Sequence, residues 1–161
     1  MPVTLTINNN TYNFPASGED PNWGPEATDW AIAVTDVLNT LLAPGDILLS
    51  TATINNNVAV LTNVNGLLFD PSQVRAANVS YSVYRTSTSN PSGYVEEGTI
   101  FLIYDNNASA GNKWTMSQRI NGNAGISFNI TDAGQIQYIT TDIGAAGYSG
   151  TMKFLAKTLL P

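Results

Sequence analysis

The sequence predicts a mainly β fold, an antiparallel β-sandwich or jelly roll that carries a small N-terminal hairpin-plus-helix element. Three observations point there. Apolar and polar residues alternate with period two in short runs after residue 46, with Asn, Gly, Ser and Asp between the runs. A helical period occurs only in residues 25–41. No strand–helix–strand rhythm is present, which argues against a parallel sheet.

Composition supports this class. Hydrophobic residues make up 43% of the 161 residues and charged residues 11%, less than half the roughly 25% charged of an average soluble domain. The polar surface must therefore come from Asn, Thr, Ser and Gly, residues that suit strands and tight turns. There is no cysteine, so no disulfide can staple the fold and no thiolate can act as nucleophile or metal ligand. No apolar run reaches the ~18 residues of a membrane-spanning helix, so no membrane partner is expected. The opening MPVTLTINNN lacks a basic segment followed by an apolar one, so no secretory signal is expected.

Charge is placed asymmetrically. Residues 1–74 hold seven acids and no base, whereas residues 75–161 hold five acids and all six bases. The net charge of −6 argues against nucleic-acid binding, which needs a basic footprint. The asymmetry suggests two parts with different roles, residues 1–45 with the hairpin and helix and residues 46–161 with the sandwich.

Taken in order, TLTINNNTYNF at 4–14 reads as a hairpin around an Asn-rich turn, broken by Pro15 and Gly18. The helix follows, with Pro25 suited to its first turn and Glu26 and Asp29 to its positive end. Trp30, Val34, Val37, Leu38 and Leu41 form its apolar stripe, and APG at 43–45 stops it. Ile47 and Leu49 begin a strand, and Asn65-Gly66 is a turn signal between VAVLTNV and GLLFD. NVSYSVYRT alternates Val79, Tyr81 and Val83 against Ser80, Ser82 and Tyr84. Residues 94–105 form a long strand with Gly98 at its expected bend. KWTMSQRI alternates Trp114 and Met116 against Thr115 and Arg119, and residues 125–141 form a hairpin with its tip at Asp132-Ala133-Gly134. The closing strand places Met152, Phe154, Ala156 and Thr158 on one face.

Catalytic constellations are scarce. With no His and no Cys, the commonest general base and the thiol nucleophile are both missing. Glu96 and Glu97 are adjacent on a strand, so they point to opposite faces and cannot flank one glycosidic bond. Asp20, Glu26 and Asp29 lie at a helix start, where acids are expected on dipole grounds alone. DNNASAGNK at 105–113 offers oxygens but misses the calcium-loop spacing, and GAAGYSG at 144–150 leads into a strand, so neither is an ion site. The expectation is no metal, no cofactor and no catalysis. The aromatics Tyr84 and Tyr104 have apolar neighbours facing the other way, a pattern that fits a sheet covered on one side by its partner sheet and on the other by another subunit.

The run TINNNTYNFPASGEDPNWGPEATDWAIAVTDVL, with its hairpin, Trp23-Gly24 and acidic helix, resembles an N-terminal element of tailed-bacteriophage virion proteins. NVSYSVYR, EEGTIFLIYDN, KWTMSQRINGNAGISFNI, GQIQYIT and SGTMKFLAKTLL are similar to phage trimeric fibre and head-decoration domains. The resemblance implies a non-enzymatic homotrimer on the virion surface. It would be a capsid decoration (cement) protein or short head fibre bound to the major capsid protein. The alternative is a short tail fibre or receptor-binding protein, attached to the tail or baseplate, whose aromatics and loop 105–112 grip host surface glycan. A carbohydrate-active enzyme using Glu96 is a third reading. Trp23, Trp30, Val34, Leu38 and Leu41 are expected to form the docking or packing face, and Tyr84, Tyr104 and Phe154 the subunit interface.

Overall fold

The computed structural model describes residues 3–7, 10–14, 24–41 and 43–160. The chain divides into two compact units, residues 1–42 and 43–161.

In the first unit, β1 (Val3–Ile7) and β2 (Asn10–Phe14) pair antiparallel, with Leu5 opposite Tyr12. The helix α1 (Gly24–Leu41) lies against β2. Ala27, Trp30, Ala33, Val34 and Val37 are half-buried and fall on one arc of α1. Leu38 departs from the expected stripe and is 55% exposed. A further step of about 100° beyond Val37 carries it past the edge of that arc. The docking expectation for Trp23 lies outside the described residues, as does the side chain of Leu41 at the helix end.

The second unit is an antiparallel β-sandwich that does not close into a barrel. Its strands are β3 (Ile47–Thr53), β4 (Thr62–Leu68), β5 (Ala76–Ser87), β6 (Asn90–Tyr104), β7 (Trp114–Gly122), β8 (Ile126–Ile130), β9 (Gln135–Thr140) and β10 (Ser149–Leu159). One layer has the order β3-β10-β5-β6-β7 and the other β4-β9-β8. The chain passes from β3 to β4 and back, builds the β5–β6–β7 meander, then crosses to the β8–β9 hairpin. It returns as β10, which inserts between β3 and β5.

The core follows from period-two alternation. Along β10, Met152, Phe154, Ala156 and Thr158 are buried while Thr151, Lys153, Leu155 and Lys157 are exposed. Phe154, expected at a subunit interface, is 1% exposed and belongs to this core. It shares the hydrophobic cluster with Val64, Leu67 and Ile136 and, so enclosed, cannot reach another subunit. Each such large apolar side chain contributes about 1.5–3 kcal/mol relative to exposure.

Two turn expectations change. Asn65-Gly66 does not separate two strands: β4 runs through it, and its pairing with β9 slips between Asn63 and Leu68, where Gly66 takes a φ of 80°. Gly98 does not divide β6 in two, since pairing to β5 and β7 runs unbroken across it. The ring of Tyr81, opposite on β5, occupies the space a side chain there would need. At the β8–β9 tip, Gly134 has a φ of 85°, and a Cβ there would collide with the Phe69 carbonyl oxygen.

Candidate functional site

At one end of the sandwich, β6 and β7 are joined by residues 105–113, and the segment 70–75 leads into β5. Both connections are held by local hydrogen bonds. Asp70 Oδ1 accepts from the Ser72 N–H at 2.8 Å and the Ser72 hydroxyl at 2.7 Å. These bonds hold the Asp70 carboxyl below its ordinary pKa. Tyr104 N–H donates to the Arg75 carbonyl at 2.8 Å, and Arg75 N–H donates to the Leu159 carbonyl at 2.8 Å.

The longer connection is fastened from the opposite layer. Asp132, at the β8–β9 tip, accepts the Gly111 N–H at 2.6 Å and the Lys113 N–H at 3.2 Å. Those two amides hold its carboxyl below the usual range. Asp132 carbonyl also accepts Trp114 Nε1–H at 3.3 Å. Lys113 Nζ donates to the Asn106 carbonyl at 3.2 Å.

Between these connections lies a groove of about 550 Å³ lined by Asp70, Pro71, Ser72, Val74, Arg75, Tyr104 and Asn106. Tyr104 is half-buried and leans on Trp114 with ring centroids 5.0 Å apart. Trp114 in turn rests on Phe69 at 6.3 Å. The tyrosine hydroxyl donates to Asn106 Oδ1 at 3.3 Å. Arg75 is exposed and has no ion partner among the described residues. The groove thus presents one braced aromatic ring beside a carboxylate, a hydroxyl, an amide and a guanidinium. Such a mixture can stack an apolar face and hydrogen-bond a rim of hydroxyl groups.

A second groove of about 500 Å³ opens on the outer face of the larger layer, lined by Ser80, Tyr81, Glu97, Gly98, Thr99, Arg119, Ile120 and Asn121. Asn121 Nδ2 donates to Glu97 Oε1 at 3.1 Å. Beneath it, Glu96 is 3% exposed, accepting the Tyr81 hydroxyl at 2.8 Å and the Ala124 N–H at 3.0 Å. Burial, then the adjacent Glu96, pushes the Tyr81 hydroxyl well above its ordinary pKa. Glu96 and Glu97 do point to opposite faces.

At the other end of the sandwich, Arg85 is fully buried. Its guanidinium donates to Ala124 O, Gly125 O, Thr141 O, Asn56 Oδ1 and Tyr148 Oη, at 2.5–3.1 Å. Asn56 also donates to Asp142 Oδ1 at 2.6 Å. Sequence reasoning missed this centre. The signal was present, because the inward series Val79, Tyr81, Val83 continues by two to Arg85.

Of the residues expected at an interface, Tyr84 is 46% exposed on the outer face of β5. Tyr104 lies in the end groove, and Phe154 is inside. The structure therefore does not bring these three together. Trp30 and Val34 share the half-buried arc of α1. Among the described residues no cluster of acids suits a metal ion, and no helix is long and apolar enough to cross a membrane.

No protein-family model matches the chain, and no curated protein matches it in sequence. Among solved structures, it is similar to the tailspike protein of Acinetobacter phage vB_ApiP_P1, with TM-score 0.38 and 11% identity over 71% of this chain and 21% of that one. It is also similar to the tailspike gp49 of Acinetobacter baumannii bacteriophage Fri1, with TM-score 0.39 and 11% identity over 79% of this chain and 22% of that one. The chain thus spans about a fifth of either structure. The Fri1 tailspike is a capsular polysaccharide depolymerase, an enzyme. That finding overturns the expectation that this chain is not an enzyme, and the expectation is dropped.

Proposed function

We propose that this chain is a surface component of a bacteriophage particle, part of a short tail fibre or receptor-binding protein. Its end groove binds polysaccharide of the host cell surface. Residues 1–45 dock on the particle and residues 46–161 project from it. The resemblance of both segments to virion proteins supports the particle assignment. The observation that carries the ligand assignment is the Tyr104 ring, braced by Trp114 at 5.0 Å and flanked by Asp70, Ser72, Arg75 and Asn106. A sugar ring has an apolar C–H face and a rim of hydroxyls, and the groove offers a partner for each.

One such groove is expected to bind weakly, with a Kd on the order of 1 mM, or about −4 kcal/mol. Several copies on one particle multiply that by effective concentration. The test is retention of the purified chain on immobilised host surface polysaccharide. Tyr104→Ala should abolish retention while leaving the far-ultraviolet dichroism unchanged. Retention of both Tyr104→Ala and Asn106→Ala at the level of the parent chain would remove the groove from consideration.

A second reading, a homotrimeric capsid decoration protein or short head fibre, is favoured by apolar residues left exposed on the larger layer. Phe101 is 37% exposed and Ile103 58%. Such a surface suits an assembled state better than a lone chain. Imaging of intact particles separates the two, since decoration places the protein on the capsid and the leading reading places it on the tail.

A further inference from the structure

The outer face of the larger layer remains unexplained by the groove. Its register sets the side chains in rows. Lys153 lies opposite Ser82, which lies opposite Glu97. The next row is Leu155, Ser80, Thr99 and Arg119, and the one after it holds Lys157, Asn78, Phe101 and Ser117. Lys153 and Arg119 are exposed and have no ion partner among the described residues. Leu155, in the row of Arg119, is 38% exposed, and Phe101, in the row beyond it, is 37% exposed. In a chain of net charge −6, this face combines Lys153 and Arg119 with apolar side chains, beside the Glu97 carboxylate and a Lys157 already paired with Asp46.

A surface of opposite sign is present in the same chain. The helix α1 has three acids, Glu26, Asp29 and Asp36, and no Lys or Arg. Asp29, Ile32 and Asp36 fall within about 60° of one another around the helix axis and are all exposed. They leave one acidic arc with an apolar centre, Ile32 being 55% exposed. An 18-residue helix is about 27 Å long and 10 Å wide. A five-stranded layer is about 19 Å across, and strands of β10's length run about 36 Å, so the helix fits on the face.

We infer that the acidic arc of α1 from one copy seats on the outer face of the five-stranded layer of a second copy, with Asp29 and Asp36 meeting Lys153 and Arg119. The contact joins two different patches, so it is heterologous and closes into a ring when the rotation allows. It uses none of the end-groove residues, so its failure and that of the polysaccharide reading are separable.

The test is sedimentation equilibrium of the full chain at micromolar concentration. The expected mass is a multiple of 17.2 kDa, falling towards the monomer as salt shortens the Debye length from about 10 Å to about 3 Å. Lys153→Glu with Arg119→Glu should raise the dissociation constant by at least about 100-fold. Adding Asp29→Lys and Asp36→Lys to that variant should restore assembly. Where charge reversal disturbs folding, Lys153→Gln with Arg119→Gln should weaken assembly in the same direction. A monomeric parent chain, an unchanged mass in the double variant, or no rescue in the quadruple variant would each overturn the contact.

Discussion

Replacing Arg85 by methionine tests how the sandwich is held at the end away from the groove. The guanidinium is fully buried and has no carboxylate in direct contact. It is tolerated because all five of its N–H directions meet oxygen, and the Tyr148 ring covers it with the centroid 5.7 Å away. Methionine keeps much of the stem and removes every donor. Some acceptors keep another partner: Gly125 O still takes the Thr141 N–H, and Asn56 Oδ1 still takes the Ile143 N–H. Ala124 O and Thr141 O lose the only bond shown for each among the described residues. Each orphaned buried acceptor costs about 1–3 kcal/mol, so the substitution should cost about 2–6 kcal/mol. In urea, with a slope near 2 kcal/mol/M, a loss of about 4 kcal/mol lowers the unfolding midpoint by roughly 2 M. Trp114 fluorescence reports the transition. Arg85→Lys should fare little better, since three donors on one nitrogen cannot serve a planar set of five oxygens. A midpoint within about 0.3 M of the parent for Arg85→Met would refute this reasoning.

Further outcomes follow from the same hydrogen-bond accounts. Tyr81→Phe leaves Glu96 Oε1 without its 2.8 Å donor and should cost about 1.5–3 kcal/mol in urea unfolding, with an unchanged midpoint as the contrary result. Gly134→Ala forces a Cβ towards the Phe69 carbonyl at a left-handed φ of 85°, and should lower stability by about 1–3 kcal/mol. Asp46 gives a pH dependence. Burial of Asp46 alone would raise its pKa, but the Lys157 ammonium, the Thr158 N–H and hydroxyl and the Ala43 N–H hold it below 3.8. Its contribution is therefore full above that value and lost as pH falls through the lower folded pKa. Asp46→Asn should lower Tm near neutral pH, and the difference should shrink below about pH 3. A constant gap across that range would contradict it.

Much of the architecture was legible because alternation has a physical cause, one face of each layer being buried against the other. The strand containing Val79, Tyr81 and Val83 was readable for that reason, and so was β10. Interruptions misled where local chemistry was outweighed by pairing. Asn65-Gly66 is a strong turn signal, yet β9 pairs on both sides of it, so the dipeptide becomes an irregularity within β4. Arg85 was illegible because its charge hides an inward position whose compensation comes from carbonyls scattered over residues 56–141. Phe154 was misassigned although its face had been read correctly: it lies in line with Met152 and Ala156, and that face turns to the opposite layer rather than outward. The end groove was half legible. The loop 105–112 stood out by its Asn-rich composition, but Asp70 and Arg75 reach the groove through the fold rather than through sequence proximity.

The central claim is that Tyr104 and its neighbours form the ligand site, and amide chemical-shift mapping tests it most directly. Host surface oligosaccharide would be titrated into the isotopically labelled chain. Saturable shifts concentrated at Ser72, Arg75, Tyr104 and Asn106, and lost in Tyr104→Ala, are the expected result. Shifts confined to other surfaces, or no shift at millimolar oligosaccharide, would contradict the account.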